Sequence, residues 1–330
     1  MRAIRVSDLG GPESVSMVDV AEPDDIGSVI IDVHAAGVTF PDVLQTRGEY
    51  QIRHPLPFTL GSEVAGVVRR APEGARVRQG DRVISFQMSG GYAEVFAADP
   101  RYVFRIPDRI TFAQAAALPV NYFTSHFSLI RRGRLVAGET VLVHGAGGGI
   151  GTATCQIAAA LGARVIAVVS TDGKADVARR AGAHEIVFAD DFLRATKALT
   201  DARGVDLVVD PVGGDRFVDS LRALAPEGRV VVVGFTGGSI PEVKVNRLLL
   251  NNTEVIGAAW GTVFFADPVF AAAQWSDLAA MLESGLIDPI VGARFALADA
   301  AKALIEIDER RASGKVVLDV ASASSERIPA

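Results

Sequence analysis

The segment from His144 to Gly151 constrains the fold more than any other part of the sequence. It reads HGAGGGIG, and five of its eight residues are glycine. It follows the apolar run TVLV and precedes TATCQIAAALGA, a segment of small and apolar residues that predicts a helix. A strand, a glycine-rich turn and a helix in this order are typical of a site where a helix N-terminus meets a phosphate group.

Strands and helices continue to alternate after this turn. The predicted strands are RVIAVVS, EIVFA, VDLVVD and RVVVVGF, and the helices between them include GKADVARRAGA and DRFVDSLRALAP. This alternation predicts an α/β fold with a doubly wound, buried parallel sheet. The residues before about position 118 form short runs rich in β-branched and aromatic residues, separated by turns. These runs predict a second, β-rich domain.

In this context the glycine turn predicts a dinucleotide-binding site. Small residues let the backbone approach a pyrophosphate and let the following helix pack close to the strand. The alternative is a tight turn that binds no ligand, but the further strand–helix units behind it favour cofactor binding. The residues expected to contact the cofactor here are Gly145, Ala146, Gly147, Gly148, Gly149, Ile150 and Gly151.

The end of the second strand of this unit favours NADPH over NADH. An NAD site usually has an acidic residue there to bind the adenosine 2′-hydroxyl. This strand ends in VVSTDGK, where Ser170 can hydrogen-bond a 2′-phosphate and Lys174 can neutralise it. The alternative roles are a helix cap for Ser170 and a solvated lysine at a helix start for Lys174.

Composition and charge limit the possible partners and metals. The net charge is −6, no basic patch indicates nucleic acid, and no apolar stretch reaches bilayer length, so neither a nucleic acid nor a membrane is expected. Cys155 is the one cysteine and the five histidines are scattered, so we expect no disulfide and no metal site. A cytoplasmic location is expected, and the final ASASSERIPA predicts a frayed tail.

Several segments, taken together and in order, resemble the zinc-independent quinone oxidoreductases of the medium-chain dehydrogenase/reductase superfamily, the ζ-crystallin-like proteins. The segments are AAGVTFPDVLQTRGEY, LGSEVAGVV, GYAEV, AALPVNYFTSHFSL, HGAGGGIG, DPVGG, GRVVVVGFTGG and SGKVVL. In zinc-dependent relatives a ligating histidine occupies the place of Ser62. The resemblance therefore agrees with the absence of a metal site inferred from the composition.

The resemblance implies a domain organisation and an assembly. A GroES-like catalytic domain would span 1–120 and 265–330, and a Rossmann dinucleotide-binding domain would span 121–264. It also implies a homodimer formed by edge pairing between Rossmann sheets near NTEVIGAAW. Two departures from the family stand out. Thr39 replaces a frequent asparagine, and VFADD lacks a tyrosine that often contacts the 2′-phosphate, which weakens the NADPH prediction without reversing it.

The resemblance also assigns further cofactor residues. Thr124 would face the nicotinamide or its ribose, or else be an ordinary buried helix threonine. Lys315 would reach a cofactor phosphate, or else be a surface charge beside a strand. Two loops after strands would line the cofactor, as ligands bind at the carboxyl ends of strands in open α/β sheets. Their residues are Pro211, Val212, Gly213, Gly234, Phe235 and Thr236.

The loop FPDVLQTRGEY supplies the candidate catalytic residues Tyr50, Asp42 and Arg47. Tyr50 would hydrogen-bond a substrate oxygen as charge develops on it, or else pack as an aromatic residue in the domain cleft. Asp42 and Arg47 would act in the site, or else pair with each other and hold the loop. Trp260 would wall the pocket or fill a dimer interface.

Together with the predicted cofactor site, the resemblance implies an NADPH-dependent quinone oxidoreductase that transfers hydride from the nicotinamide to a quinone without a metal. One alternative is an NADPH-dependent reductase of enone, 2-alkenal or enoyl-CoA double bonds, for which Arg47, Arg53 and the run from Arg131 to Arg134 would form a basic rim. A further alternative is a non-catalytic NADPH-binding protein with a crystallin-like or sensing role.

Overall fold

The computed structural model describes residues 1–320 of the 330-residue chain. Their contacts divide them into two compact units. The first unit contains residues 1–120, 267–283 and 289–320, and the second contains residues 121–266 and 284–288. The C-terminal segment predicted to be a frayed tail lies outside the described residues. No helix among the described residues is long and apolar enough to cross a membrane.

The strands of the two units follow in chain order. They are β1 (Arg2–Val6), β2 (Ser16–Asp19), β3 (Val29–Val38), β4 (Phe58–Thr59), β5 (Glu63–Arg70), β6 (Arg82–Phe86), β7 (Val95–Ala98), β8 (Val103–Arg105), β9 (Thr140–Val143), β10 (Arg164–Val169), β11 (Glu185–Phe188), β12 (Val205–Asp210), β13 (Leu224–Val232), β14 (Glu254–Gly257), β15 (Val291–Ala296) and β16 (Lys315–Asp319).

The α-helices connect these strands. They are α1 (Phe40–Thr46), α2 (Phe112–Ala115), α3 (Pro119–His126), α4 (Gly149–Ala160), α5 (Asp172–Arg180), α6 (Phe192–Leu199), α7 (Phe217–Ala223), α8 (Asn246–Asn251), α9 (Trp260–Ala266), α10 (Pro268–Glu283) and α11 (Ala300–Asp308). A π-helical segment, Phe127–Arg132, continues α3.

The first unit is built on two sheets. A seven-stranded sheet has the order β15-β16-β3-β5-β6-β8, with β7 also paired to β3, and a three-stranded sheet has the order β2-β1-β4. Alternate residues of β3 and β5 point into the unit, and the apolar ones form a core with α11. Strand β3 continues directly into α1, so this core fixes the start of the predicted catalytic loop.

The second unit contains one fully parallel six-stranded sheet with the order β11-β10-β9-β12-β13-β14. Its central strands are buried on both faces, as the near-continuous valine and isoleucine runs predicted. The chain moves outward from β9 to β10 and β11, then returns to β12 on the other side of β9. The prediction of an α/β fold with a doubly wound sheet and a β-rich partner is therefore confirmed. The reversal of strand order between β9 and β12 is where such sheets bind ligands.

Candidate functional site

The glycine-rich turn lies at the carboxyl end of β9, and its glycines are required by space and by backbone conformation. Gly145 has φ of +59°, in the left-handed region that favours glycine. A β-carbon on Gly151 would overlap the carbonyl oxygen of Gly145 and the Cα of Ala146. The start of α4 is thus packed directly onto the turn. Larger residues would push the helix away from the strand.

The N-terminus of α4 offers donors to a ligand. The helix begins at Gly149, its N-cap residue is Gly148, and no side chain caps it. The first N–H groups of a helix have no partner within the helix and bind anions well, an effect that the helix dipole strengthens. A pyrophosphate fits this cradle, because the residues that form it carry no side chains beyond the methyl of Ala146 and the side chain of Ile150.

The second strand of the unit brings Lys174 against the same turn. A β-carbon on Gly147 would lie 2.6 Å from Cβ of Lys174, so the first turn of α5 touches the glycine turn. Ser170 is exposed immediately after β10. The cap of α5 is Thr171, whose hydroxyl accepts a hydrogen bond of 3.3 Å from the Lys174 N–H. The alternative in which Ser170 caps this helix is therefore wrong.

The loops after β12 and β13 meet beside the glycine turn. The N–H and the hydroxyl of Thr236 donate to the Pro211 carbonyl at 3.1 and 3.0 Å, and the Gly237 N–H donates to the Val212 carbonyl at 2.7 Å. A β-carbon on Gly145 would lie 3.3 Å from Cγ2 of Val212. Three predicted cofactor loops are therefore neighbours at the reversal point of the sheet.

Acidic and aromatic residues fix the shape of these loops. Oδ1 of Asp210, at the end of β12, accepts the N–H groups of Val212 and Gly213 at 2.8 and 2.9 Å. Gly213 has φ of +64°, and a β-carbon there would lie 2.8 Å from the Phe235 ring. Gly234 sits between β13 and Phe235 and shows no positive φ. The predicted residues thus form a preorganised edge rather than a flexible loop.

Thr124 lies on α3 and is 8% exposed. Within the described residues its hydroxyl has no hydrogen-bond partner, whereas the neighbouring Ser125 hydroxyl bonds the Ile150 carbonyl at 3.2 Å and the Thr154 hydroxyl at 2.9 Å. A buried helix threonine with a purely structural role usually bonds a backbone carbonyl of the preceding turn. Thr124 does not, so its hydroxyl is available to a ligand.

Asp42 is fully buried in the first turn of α1. One carboxylate oxygen accepts the N–H and the hydroxyl of Thr39 at 2.8 and 2.6 Å and the hydroxyl of Tyr92 at 2.9 Å. The Thr39 hydroxyl accepts the Asp42 N–H in return, which completes a capping box. Burial raises the pKa of Asp42 to about 6, although these hydrogen bonds favour the charged form. Asp42 thus anchors the helix that leads to Tyr50.

Arg47 does not pair with Asp42. Its two terminal nitrogens donate to the two carboxylate oxygens of Asp308 at 3.0 and 2.5 Å, in a two-point ion pair. Asp308 is the last residue of α11, so the pair joins the ends of α1 and α11. The alternative in which Asp42 and Arg47 pair with each other is wrong, because the first turn of α1 buries Asp42 against Thr39 while Arg47 lies beyond the helix end.

Tyr50 is half-buried after α1, and its hydroxyl makes no hydrogen bond to any described residue. Burial raises its pKa, and the charge of the nearby Asp42 raises it further. A raised pKa keeps the hydroxyl protonated at neutral pH. Tyr50 can therefore donate a hydrogen bond to an oxygen atom placed beside it.

Lys315 lies at the start of β16 and is 3% exposed, so its interpretation as a surface charge is wrong. Its ammonium forms an ion pair with the fully buried Glu63, and the other oxygen of Glu63 accepts the Val120 N–H at 2.7 Å. Because the ammonium is bound to Glu63 inside the first unit, we no longer assign Lys315 to a cofactor phosphate. Glu63 and Tyr92 were not among the predicted site residues, as neither stands out in a local pattern.

Trp260 begins α9 and is 5% exposed. Its ring lies 5.6 Å from the Phe123 ring and 4.6 Å from the Phe264 ring, measured between centroids. The side chain is thus core of the second unit, and the alternative in which it fills a dimer interface is wrong. His144, the first residue of the glycine-rich segment, places its Nε2 2.8 Å from the Ser220 hydroxyl.

Comparison with known proteins gives two family matches. Residues 25–108 match the family described as alcohol dehydrogenase GroES-like domain, and residues 149–283 match the family described as zinc-binding dehydrogenase. Despite the second description, no three His, Cys, Asp or Glu side chains among residues 1–320 are arranged to hold a metal ion.

Individual relatives match over most of the chain. Bovine quinone oxidoreductase-like protein 2 is 40% identical over 88% of this chain and 85% of its own. Human quinone oxidoreductase is 34% identical over 96% of this chain and 97% of its own. Among solved structures, the quinone oxidoreductase from Thermus thermophilus, also determined in complex with NADPH, aligns with a TM-score of 0.85 at 33% identity, over 97% of this chain and 100% of that chain.

Proposed function

The chain belongs to the quinone oxidoreductase family of the medium-chain dehydrogenase/reductase superfamily, and from this premise we propose that it is an NADPH-dependent reductase that transfers a hydride to a quinone. One observation carries the proposal. The uncapped N-terminus of α4, Lys174 and the loops after β12 and β13 converge at the reversal point of a parallel sheet. This edge has the shape and the donors that a dinucleotide needs.

The preference for NADPH rests on the residues that follow β10. No acidic side chain ends the strand, and the first turn of α5 holds Lys174 against the glycine turn. We assign its ammonium to the 2′-phosphate. An acidic residue there would repel that phosphate, whereas a lysine attracts it. Solved structures of the relatives include complexes with NADPH, which supports the same choice.

NADPH, when bound, supplies the hydride. The residues of this chain would position the two reactants and exclude water. Tyr50 would donate a hydrogen bond to the quinone oxygen on which negative charge develops. Asp42 would hold α1 and hence the start of the loop that carries Tyr50, through its bonds to Thr39 and Tyr92.

Reduction of the double bond of an enone or a 2-alkenal is the second candidate, since the Tyr50 hydroxyl would equally bind a carbonyl oxygen. The enoyl-CoA form of this candidate loses support. Arg47 is bound to Asp308, Arg132 donates to the Gly257 carbonyl at 2.8 Å, and Arg134 pairs with Glu254 at 2.6 Å. The basic rim that a CoA phosphate would need is thus largely engaged elsewhere. No contact favours the non-catalytic alternative.

Oxidation of NADPH by the purified protein, followed by absorbance, tests this proposal. The acceptors would be benzoquinone, phenanthrenequinone, an alkyl vinyl ketone and a 2-alkenal, each repeated with NADH and with EDTA. We expect turnover on quinones that prefers NADPH and does not change with EDTA. Turnover on the vinyl ketone and alkenal alone would assign double-bond reduction instead. NADPH binding without turnover on any acceptor would contradict both.

We also propose that the protein forms a homodimer and acts in the cytoplasm. Strand β14 is the open edge of the parallel sheet, and several apolar side chains in β14 and in the segment 240–250 that precedes it are exposed. They are Ile240, Val245, Leu249, Leu250 and Val255. Pairing of β14 with β14 of a second copy would satisfy the open backbone groups and cover apolar surface.

A further inference from the structure

Asn121, in the first turn of α3, lies against the start of α4. A β-carbon on Gly149 would overlap the amide nitrogen of Asn121, so this amide occupies the space directly beside the first residue of α4. Asn121 is 5% exposed. The side chain is therefore placed at the glycine turn and not at the surface of the unit.

The amide of Asn121 has no hydrogen-bond partner anywhere in residues 1–320. The amide atoms are not among the fully enclosed polar atoms that lack a partner, so the largely buried amide keeps contact with solvent and is accessible to a ligand. The other buried amide in this region differs. Gln156 is 8% exposed and is bonded to the Tyr122 hydroxyl and to both backbone groups of Asp288. Asn121 alone of the two makes no hydrogen bond.

Helix α3 is held against α4 in the position that this contact requires. Ser125 lies one helical turn after Asn121 on the same face, and its hydroxyl bonds the Ile150 carbonyl and the Thr154 hydroxyl. The amide nitrogen of Asn121 therefore lies beside Gly149, the first residue of the uncapped helix α4. Thr124, on the adjacent part of the same turn, is also buried without a partner among these residues.

We propose that Asn121 is a dinucleotide-binding residue, which donates an amide N–H to the pyrophosphate of the bound cofactor beside Gly149. This inference rests on the proposed function, and it adds a side-chain donor to a cradle otherwise made of backbone groups. The helix N-terminus and the unpartnered, buried amide point to the same ligand from two sides. An amide is a suitable donor there, since it binds an anion without requiring a counter-charge of its own.

Direct binding measurements with Asn121→Ala test the proposal. The probes are NADPH, 2′-phospho-ADP-ribose, which keeps the pyrophosphate but lacks nicotinamide, and 2′-AMP, which lacks the pyrophosphate. We expect the Kd of NADPH and of 2′-phospho-ADP-ribose to rise about tenfold or more, because a hydrogen bond to a charged group is lost. The Kd of 2′-AMP should stay unchanged.

Two further variants sharpen this test. Asn121→Asp should weaken the binding of NADPH more than Asn121→Ala does, since the new carboxylate would repel the phosphates. Asn246→Asp adds the same charge at the exposed first turn of α8 and should leave all three constants unchanged. Thermal unfolding without ligand would show whether each variant is folded.

Several outcomes would overturn the proposal. Unchanged binding of NADPH by Asn121→Ala would show that the Asn121 amide does not contact the cofactor. Weaker binding of NADPH with unchanged binding of 2′-phospho-ADP-ribose would place the amide at the nicotinamide half of the cofactor. Weaker binding of 2′-AMP as well would indicate general damage to the site. Failure of the wild-type protein to bind NADPH would instead contradict the proposed function itself, so the two failures are distinguishable.

Discussion

The hydroxyl of Tyr92 donates a 2.9 Å hydrogen bond to Oδ2 of Asp42, and both side chains are fully buried. The two residues come from separate segments of the first unit, and their bond holds the start of α1 through the same carboxylate oxygen that Thr39 binds. A β-carbon on Gly61 would overlap the Tyr92 ring, so the tyrosine is itself held in one place. The loop that carries Tyr50 thus leaves a rigid base.

The raised pKa of Asp42 predicts a pH-dependent stability. Its pKa is about 6 in the folded protein and 3.8 in a model peptide. The folded protein therefore binds a proton that the unfolded chain has already lost, and this group makes the fold less stable as the pH rises from about 4 to 6. Compared with Asp42→Asn, the wild-type protein should lose on the order of 2–3 kcal/mol of unfolding free energy across this range. Urea unfolding at pH 4 and pH 7 measures the difference. An equal change in unfolding free energy between pH 4 and pH 7 for the two proteins would contradict this prediction.

Removal of the Tyr50 hydroxyl should slow the reaction without weakening the binding of the cofactor. Tyr50→Phe keeps the ring, but it removes a donor that no described residue engages. We expect kcat with a quinone to fall by a factor of about 10 to 100, because stabilisation of developing charge is lost. The Kd of NADPH should not change. Tyr102→Phe removes a tyrosine hydroxyl from another part of the first unit and should leave kcat unaltered. A similar kcat for wild type and Tyr50→Phe would exclude the hydroxyl from catalysis.

Arg47 and Asp308 should contribute to stability and not to catalysis. Their side chains are 34% and 25% exposed, and the two-point geometry is the strongest that an arginine offers a carboxylate. A double-mutant cycle with Arg47→Ala and Asp308→Ala should give a coupling free energy of about 1 kcal/mol in unfolding. All variants should keep the kcat of the wild type. A large loss of kcat in Arg47→Ala but not in Asp308→Ala would restore a catalytic role for Arg47.

Much of the fold could be predicted from the sequence, since hydrophobic periodicity reports the strands and helices of the second unit. Local sequence patterns predicted the ends of helices less well where hydrogen-bond pairing in the sheet determined those ends. The predicted helix DRFVDSLRALAP ends at Ala223, because Leu224 already pairs with Val205 of β12 and begins β13. Similarly, α4 begins at Gly149 inside the glycine turn, three residues before the predicted start.

The candidate site was predicted in its backbone parts and missed in its side-chain pairs. Glycine turns and strand ends are local features, so the cradle at β9, β12 and β13 could be read from residue types. The pairs Arg47–Asp308 and Lys315–Glu63 join residues that are 261 and 252 positions apart. Nothing in a single sequence specifies which distant charge each will meet, so Asp308 and Glu63 could not be predicted as the partners of Arg47 and Lys315.

Lys174 should distinguish NADPH from NADH. Lys174→Ala removes the ammonium that we assign to the 2′-phosphate, and the Kd of NADPH should rise about tenfold while the Kd of NADH stays the same. Lys197→Ala deletes a lysine from α6 of the same unit and serves as the matched control. Fluorescence titration with both cofactors measures the effect. An equal loss for NADPH and NADH would show that Lys174 acts on the fold or on a group that both cofactors share.

Edge pairing through strand β14 should determine whether the protein is a dimer or a monomer. The Ala258 N–H donates to the Val232 carbonyl at 2.9 Å, so in a parallel pair the alternate N–H groups, those of Val255 and Gly257, point away from β13. The Gly257 carbonyl is already bonded by Arg132, which leaves Val255 as the central open position of the edge. Val255→Pro removes the outward donor and spares the bonds to β13, so sedimentation velocity should show a monomer where the wild type is a dimer. NADPH binding should persist. Val269→Lys, which replaces another exposed valine on α10, should remain dimeric. A dimer that survives Val255→Pro would place the contact between subunits elsewhere on the chain.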